Sequence, residues 1–225
     1  MLNNKSEFKS MPMRSTQVAR LCVNFALVMA GTVSGAVAFA AESVPAENEH
    51  AHHHHAAPAP KAEIKRTMAE ITLAATSMVR QDGSATTLSK ELEGSKPVIL
   101  AFVYTSCTTV CPVTSQILSS VQNLLGKDID NVRMLSVSID PEYDTPARLL
   151  AYSKKFDAKP QWQHYTGTLS NSVAIQKIFG AYRGDKMNHE PLFFIAGSNK
   201  KSWVRLDGFP SAEQVIKELK SQTKG

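Results

Sequence analysis

Cysteine is scarce in this chain of 225 residues, which contains only three: Cys22, Cys107 and Cys111. A chain of this length buries a sizeable core without covalent cross-links. A disulfide between Cys107 and Cys111 would also close too short a loop to remove much chain entropy. A purely structural bridge is therefore disfavoured, and we interpret Cys107 and Cys111 as a functional pair.

The chain also carries little net charge. The formal net charge is +5, but residues 1–40 hold four basic residues and one acidic residue. The rest of the chain therefore carries only +2. So small a net charge is not typical of a nucleic-acid-binding protein, and we expect no nucleic-acid partner.

Charged residues are absent from Leu21 to Ala40, an apolar stretch that follows a basic segment and ends in Ala38-Phe39-Ala40. This pattern is typical of a secretory signal peptide. The stretch is also long enough for a membrane anchor. Residues 1–40 are thus predicted to be a signal peptide or membrane anchor. Either one predicts an exported protein that is periplasmic or is anchored in the inner membrane and faces the periplasm.

Residues 41–61 are rich in alanine, proline, glutamate and histidine and show no apolar periodicity. We expect a flexible linker there. The segment contains five of the seven histidines, His50 and His52–His55. Because imidazole binds copper, zinc and nickel, the cluster is interpreted either as a metal-capturing segment or as a solubilising tail.

From residue 62 onward the pattern is that of an α/β domain. The continuous apolar runs Pro97–Tyr104 and Val132–Ile139 predict buried strands, and apolar residues at helical spacing predict a helix ending near Gly126. Later, the segments Pro191–Gly197 and Ser202–Phe209 predict a hairpin, which a final helix follows.

This order of elements predicts one thioredoxin-like domain over residues 62–225, with a central mixed sheet flanked by helices. The two cysteines lie at the junction of the first core strand and its helix. In a sheet with parallel strands, that junction opens onto the crevice where ligands bind.

The stretch YTSCTTVCP leaves several chemistries open. Pro112 is expected at the first helical position, so that Cys111 is the predicted N-cap and Cys107 lies in the preceding loop. The two sulfurs can then approach each other. The helix N-terminus favours negative charge, so we expect at least one thiol to have a lowered pKa.

Compared with the C-x-x-C redox motif, the pair has one extra intervening residue, which favours a metal ion held between the sulfurs without excluding disulfide exchange. Two thiolates select Cu(I), and one imidazole lets Cu(II) bind as well. A closed zinc site normally has four protein ligands, and we find no convincing fourth ligand in the domain.

Two histidines lie outside the linker. His164 falls on a predicted strand and is interpreted as a structural histidine with satisfied ring nitrogens. His189 lies in a loop just before a late strand, and in a thioredoxin arrangement that loop faces the cysteines, so His189 is the better ligand candidate. Met187 carries a soft thioether that either assists the site or fills space.

Taken together, four motifs resemble the Sco (SenC/PrrC-like) family over roughly residues 65–222. They are YTSCTTVCP (Tyr104–Pro112), SVSIDPEYDTP (Ser136–Pro146), YTGT (Tyr165–Thr168) and a histidine before a late strand (His189). Jointly they are quite specific. The resemblance implies an exported copper protein with a thioredoxin fold that assists cytochrome c oxidase assembly.

By this resemblance Cys107, Cys111 and His189 are the copper ligands. Asp140 and Asp144 fall on the family's acidic motif, and we interpret them as loop-forming and helix-capping residues.

The resemblance implies a monomeric chaperone, with or without a membrane anchor. It would bind Cu(I) or Cu(II) and deliver copper to the CuA site of a cytochrome c oxidase subunit or to a related acceptor protein. A periplasmic thiol–disulfide oxidoreductase is the alternative, with Cys107 as the attacking and Cys111 as the resolving thiol. A binding domain with a structural disulfide is the third possibility.

Overall fold

The computed structural model describes residues 63–223. The predicted signal or anchor (1–40) and the predicted His-rich linker (41–61) lie outside the described residues. No helix between residues 63 and 223 is both long and apolar enough to span a membrane.

The described residues form eight strands and five α-helices. The strands are β1 (Lys65–Ala69), β2 (Ser77–Arg80), β3 (Ala85–Thr87), β4 (Val98–Val103), β5 (Arg133–Ser138), β6 (Trp162–Thr166), β7 (Leu192–Ala196) and β8 (Trp203–Asp207). The helices are α1 (Leu88–Glu91), α2 (Val110–Leu125), α3 (Pro146–Lys155), α4 (Leu169–Ile178) and α5 (Ala212–Thr223). Two short 3-10 helices cover Gly126–Asn131 and Lys186–Asn188.

All eight strands join one sheet in the order β1-β8-β7-β4-β5-β6-β2-β3. The neighbours β4, β5 and β6 are parallel, and the other pairs are antiparallel. The predicted mixed sheet flanked by helices is confirmed. The hairpin of β2 and β3 was not predicted.

Strand β4 lies at the centre because all six of its residues are apolar and buried. Side chains alternate along a strand, so the two faces of β4 contribute to two different cores. Ile99 and Ala101 pack in one core, and Leu100 and Phe102 pack in the other. Together these cores hold the end of β4 in a fixed position, and the cysteines follow it directly.

Three loops meet at one edge of this sheet. Because β4 and β5 are parallel, their carboxyl ends lie side by side. Because β7 runs antiparallel to β4, with Phe193 opposite Ala101, the amino end of β7 lies at the same edge. The loops after β4 and β5 and the loop before β7 therefore converge.

Candidate metal-binding and redox site

The cysteine loop connects β4 to α2. The Cys107 amide donates a hydrogen bond to the carbonyl of Tyr104 at 3.2 Å, which closes a turn. Cys107 lies in the loop, as predicted. The prediction that Cys111 is the N-cap is wrong, because α2 begins at Val110. Pro112 is tolerated as the third helical residue, since the first four amides of a helix have no partner within the helix.

Both cysteines are buried and free, with no bond between the sulfurs. The Cys111 amide donates to Cys107 Sγ at 3.3 Å, and the Tyr104 amide donates to Cys111 Sγ at 3.4 Å. The exposed fraction is 8% for Cys107 and 0% for Cys111. Each sulfur thus accepts a hydrogen bond from the backbone, and Cys107 is the one nearer to solvent.

The two thiols differ in acidity. Burial alone would raise the pKa of Cys107, but hydrogen bonds from the Cys111 and Thr109 amides, the Cys111 thiol and the Tyr104 hydroxyl outweigh it and lower the pKa to about 7. Burial raises the pKa of Cys111, and the neighbouring Cys107 raises it further. The expectation of at least one acidic thiol is confirmed, and that thiol is Cys107.

The loop after β5 fastens the cysteine loop through a buried carboxylate. Asp144 accepts hydrogen bonds from the Thr105 amide at 3.1 Å, from the Thr105 hydroxyl at 2.5 Å and from the Ser138 hydroxyl at 2.6 Å. The helix cap itself is Thr145, whose hydroxyl accepts from the Arg148 amide. Asp144 therefore joins two loops rather than capping α3.

His189 lies directly after the 3-10 helix Lys186–Asn188, at the entrance to β7. Its Nε2 is 3.2 Å from the carbonyl oxygen of Phe102 in β4. Because a carbonyl only accepts, Nε2 carries the proton, and Nδ1 keeps its lone pair. Burial lowers the pKa of His189, although the bond to Phe102 opposes the shift. The ring is therefore neutral at pH 7 and can bind a metal ion through Nδ1.

Tyr104 contacts both His189 and the cysteine pair. Its ring packs edge-on against the imidazole, with the ring centres 6.2 Å apart. Across residues 63–223, no three side chains of histidine, cysteine, aspartate or glutamate are grouped closely enough to hold a metal ion. The structure thus brings Cys107 and Cys111 together, and His189 is linked to them through its contact with Tyr104.

Two ion pairs hold the segment before β7. Lys186 Nζ lies 2.6 Å from Asp140 Oδ2, and Arg183 lies 2.9 Å from Glu190. Sequence reasoning missed the contacts of Tyr104 and Lys186. Tyr104 is close to the cysteines in the sequence, and that closeness could have predicted its contact with them. Lys186 and Asp140 are 46 positions apart, and nothing in the sequence predicts that they form a pair.

His164 lies on β6, as predicted, and is fully buried. The expectation that its ring nitrogens are satisfied is wrong, because neither has a hydrogen-bond partner within the described residues. The ring packs against Tyr152 and Trp162. Burial lowers the pKa of His164 to about 3, so the ring is neutral at pH 7.

Two curated relatives cover most of the described domain. The SCO1 protein homolog of Bacillus subtilis is 27% identical over 152 residues, which is 63% of this chain and 77% of the relative. An SCO2-like protein of Rickettsia felis is 34% identical over 145 residues, which is 59% of this chain and 68% of the relative.

Solved structures match the fold. ScoI of Bradyrhizobium japonicum, solved with copper bound, has a TM-score of 0.57 and 27% identity and covers 67% of this chain and 99% of its own. BsSco, described with a disulfide switch and as a member of the Sco family of cytochrome c oxidase assembly proteins, has a TM-score of 0.58 and 23% identity. It covers 68% of this chain and 94% of its own.

The family assignment rests on the extent of the match as well as on these relatives. The SCO1/SenC family model matches residues 66–224, which include the cysteine loop, the loop after β5 and His189. The chain belongs to the SCO1/SenC family.

Proposed function

We propose that this protein is a copper chaperone that binds copper through Cys107, Cys111 and His189. The main support for the proposal is that all three donor side chains are free to bind a metal ion. Two free thiols lie beside each other, and a neutral imidazole nearby donates Nε2–H to a backbone carbonyl, which leaves Nδ1 available. Metal-binding histidines almost always make such a bond with the other ring nitrogen.

The donor set suits copper. Thiolates are soft ligands that select Cu(I), and imidazole also binds Cu(II). The lowered pKa of Cys107 makes one thiolate available at neutral pH, and binding of the metal releases the proton of the second thiol.

His189 has to move toward the sulfurs to complete this set, and the segment that carries it is loosely held. A pocket of about 190 Å³ lies beside the ring, between α4 and the segment from Ala181 to Lys186. The Lys186–Asp140 and Arg183–Glu190 pairs that hold the segment are partly exposed, and exposed ion pairs are weak. We infer that the segment shifts when copper binds.

Delivery to cytochrome c oxidase is supported by family membership. ScoI of Bradyrhizobium japonicum binds copper, and BsSco belongs to a family of cytochrome c oxidase assembly proteins. We infer that this chain passes copper to the CuA site of the oxidase or to a related acceptor by ligand exchange.

Copper titration of the reduced full-length protein against a Cu(I) chelator tests the proposal. Cys22 and the five linker histidines are first changed to serine, so that the competing thiols and imidazoles outside the domain are removed. Cys107→Ser, Cys111→Ser and His189→Ala are each expected to abolish tight binding of one equivalent, whereas the matched control Asn188→Ala retains it. Full affinity in His189→Ala would remove the imidazole from the proposed site.

We further propose that the protein is exported, with residues 1–40 as a signal peptide or anchor and residues 41–61 as a flexible linker. The basic start, the uncharged stretch and the Ala-Phe-Ala ending support this organisation. The linker histidines would raise the local concentration of copper near the domain. N-terminal sequencing of the periplasmic protein distinguishes cleavage near Ala40 from a retained anchor.

Thiol–disulfide exchange is a second candidate function, favoured by the difference between the two thiols. The Cys107 thiolate would attack an acceptor disulfide and form a mixed disulfide, and Cys111 would then release the reduced acceptor as the pair is oxidised. Cys111→Ser, which lacks the resolving thiol, is expected to accumulate the mixed disulfide. Metal-free protein that leaves acceptor disulfides intact would exclude this activity.

A further inference from the structure

We propose that Met187 is an outer ligand for Cu(I), which receives the ion at the surface and passes it inward to Cys107. This inference rests on the copper-chaperone function proposed above. It adds a residue and a route to that function, since Met187 lies outside the set of two thiols and one imidazole.

The exposure of Met187 rules out a space-filling role. Its exposed fraction is 75%, compared with 2% for Met78 and 0% for Met134, which fill the cores. Burial of apolar surface is what normally stabilises a methionine side chain in a folded protein, and Met187 gains little from it.

The backbone that carries this exposed side chain is fixed by hydrogen bonds. Asp185 Oδ1 accepts a hydrogen bond from the Met187 amide at 2.8 Å. The preceding residue, Lys186, forms an ion pair with Asp140 at 2.6 Å. The 3-10 helix therefore presents the thioether from a defined turn rather than from a loose loop.

One residue connects the thioether to the cysteine loop. The Tyr104 hydroxyl lies 4.0 Å from Met187 Sδ. The backbone of the same tyrosine accepts a hydrogen bond from the Cys107 amide at 3.2 Å and donates one to Cys111 Sγ at 3.4 Å. Tyr104 therefore contacts the surface sulfur at one end and a buried sulfur at the other, and it is the group that the ion passes.

The order of ligand strength sets the direction of transfer. A thioether is a soft, neutral ligand that binds Cu(I), and a thiolate binds Cu(I) more tightly. In the transfer the Met187 Sδ–Cu(I) bond breaks as the Cys107 Sγ–Cu(I) bond forms. Any thiol proton goes to solvent, copper remains Cu(I), and no electron is transferred.

The test uses the reduced full-length protein with ¹³C-labelled methionine methyl groups and with Cys22 and the linker histidines changed to serine. Cu(I) is added below one equivalent from a Cu(I)–chelator complex. We expect the Met187 methyl signal, identified by its loss in Met187→Leu, to shift. The Met68 methyl, which is 53% exposed on β1, serves as the internal control and should not shift.

The uptake rate provides the second measurement. Met187→Leu should take up Cu(I) at least about threefold more slowly but reach the same stoichiometry, because an entry ligand affects the route more than the final site. Met68→Leu should match the unsubstituted protein. If copper binds while the Met187 methyl signal stays fixed, or if the rates are equal, the outer ligand is refuted and the chaperone proposal stands. If no copper binds at all, both proposals are refuted.

Discussion

Cys107 is expected to be the thiol that ionises and reacts first, and its pH dependence gives a quantitative test of the site's electrostatics. With a pKa lowered from 9.0 to about 7, it is half ionised at pH 7. An ordinary thiol with a pKa of 9.0 would be about 1% ionised at that pH. Intrinsic nucleophilicity falls by about eightfold over two pKa units, so the net gain in alkylation rate at pH 7 is about sixfold.

The assay follows iodoacetamide alkylation of reduced, metal-free protein between pH 5 and 10. All variants carry Cys22→Ser, and each of the two remaining cysteines is studied alone by changing the other to serine. The protein with only Cys107 should show an inflection near pH 7, because its thiolate is stabilised in the fold and is lost as the pH falls through that value. The protein with only Cys111 should react slowly throughout. An inflection near pH 9 for Cys107, or faster reaction of Cys111 at pH 7, would refute this account.

Three further predictions concern the residues around the pair. Tyr104→Phe removes a hydrogen bond to the Cys107 thiol, so the alkylation inflection should move to higher pH; an unchanged inflection would contradict that role. Asp144→Ala leaves one buried and two partly buried donors without this acceptor and should lower the free energy of unfolding in urea by about 2–4 kcal/mol, whereas no change would show that the loops do not depend on it. Lys186→Ala breaks the ion pair with Asp140 and should speed amide hydrogen exchange in the 3-10 helix that precedes β7, and an unaltered exchange rate would mean that the pair does not restrain this segment.

The fold was predictable because its signals are local. A continuous apolar run marked β4, and Gly126, whose φ of +53° favours glycine, marked the end of α2. The start of α2 was placed two residues late because Pro112 fits any position in the first turn of a helix, so its presence does not fix the first residue. The β2–β3 hairpin was missed because both strands are short and partly exposed.

The site was predictable only in part, because only some of its contacts are local in the sequence. Cys107 and Cys111 are neighbours in sequence, and their position after a core strand brings them together. His189 could be placed at the same edge only through the predicted fold. The Asp144 bonds and the packing of the Tyr104 ring against the imidazole depend on how three separate loops pack, which no local pattern encodes.

The central claim is that copper is bound by both thiols and by the His189 imidazole. X-ray absorption at the copper edge on the Cu(I)-loaded full-length protein, with Cys22 and the linker histidines changed to serine, tests it most directly. The account predicts two sulfur neighbours and one nitrogen neighbour, with the nitrogen lost in His189→Ala. A spectrum that fits sulfur neighbours alone and is identical in His189→Ala would contradict the claim.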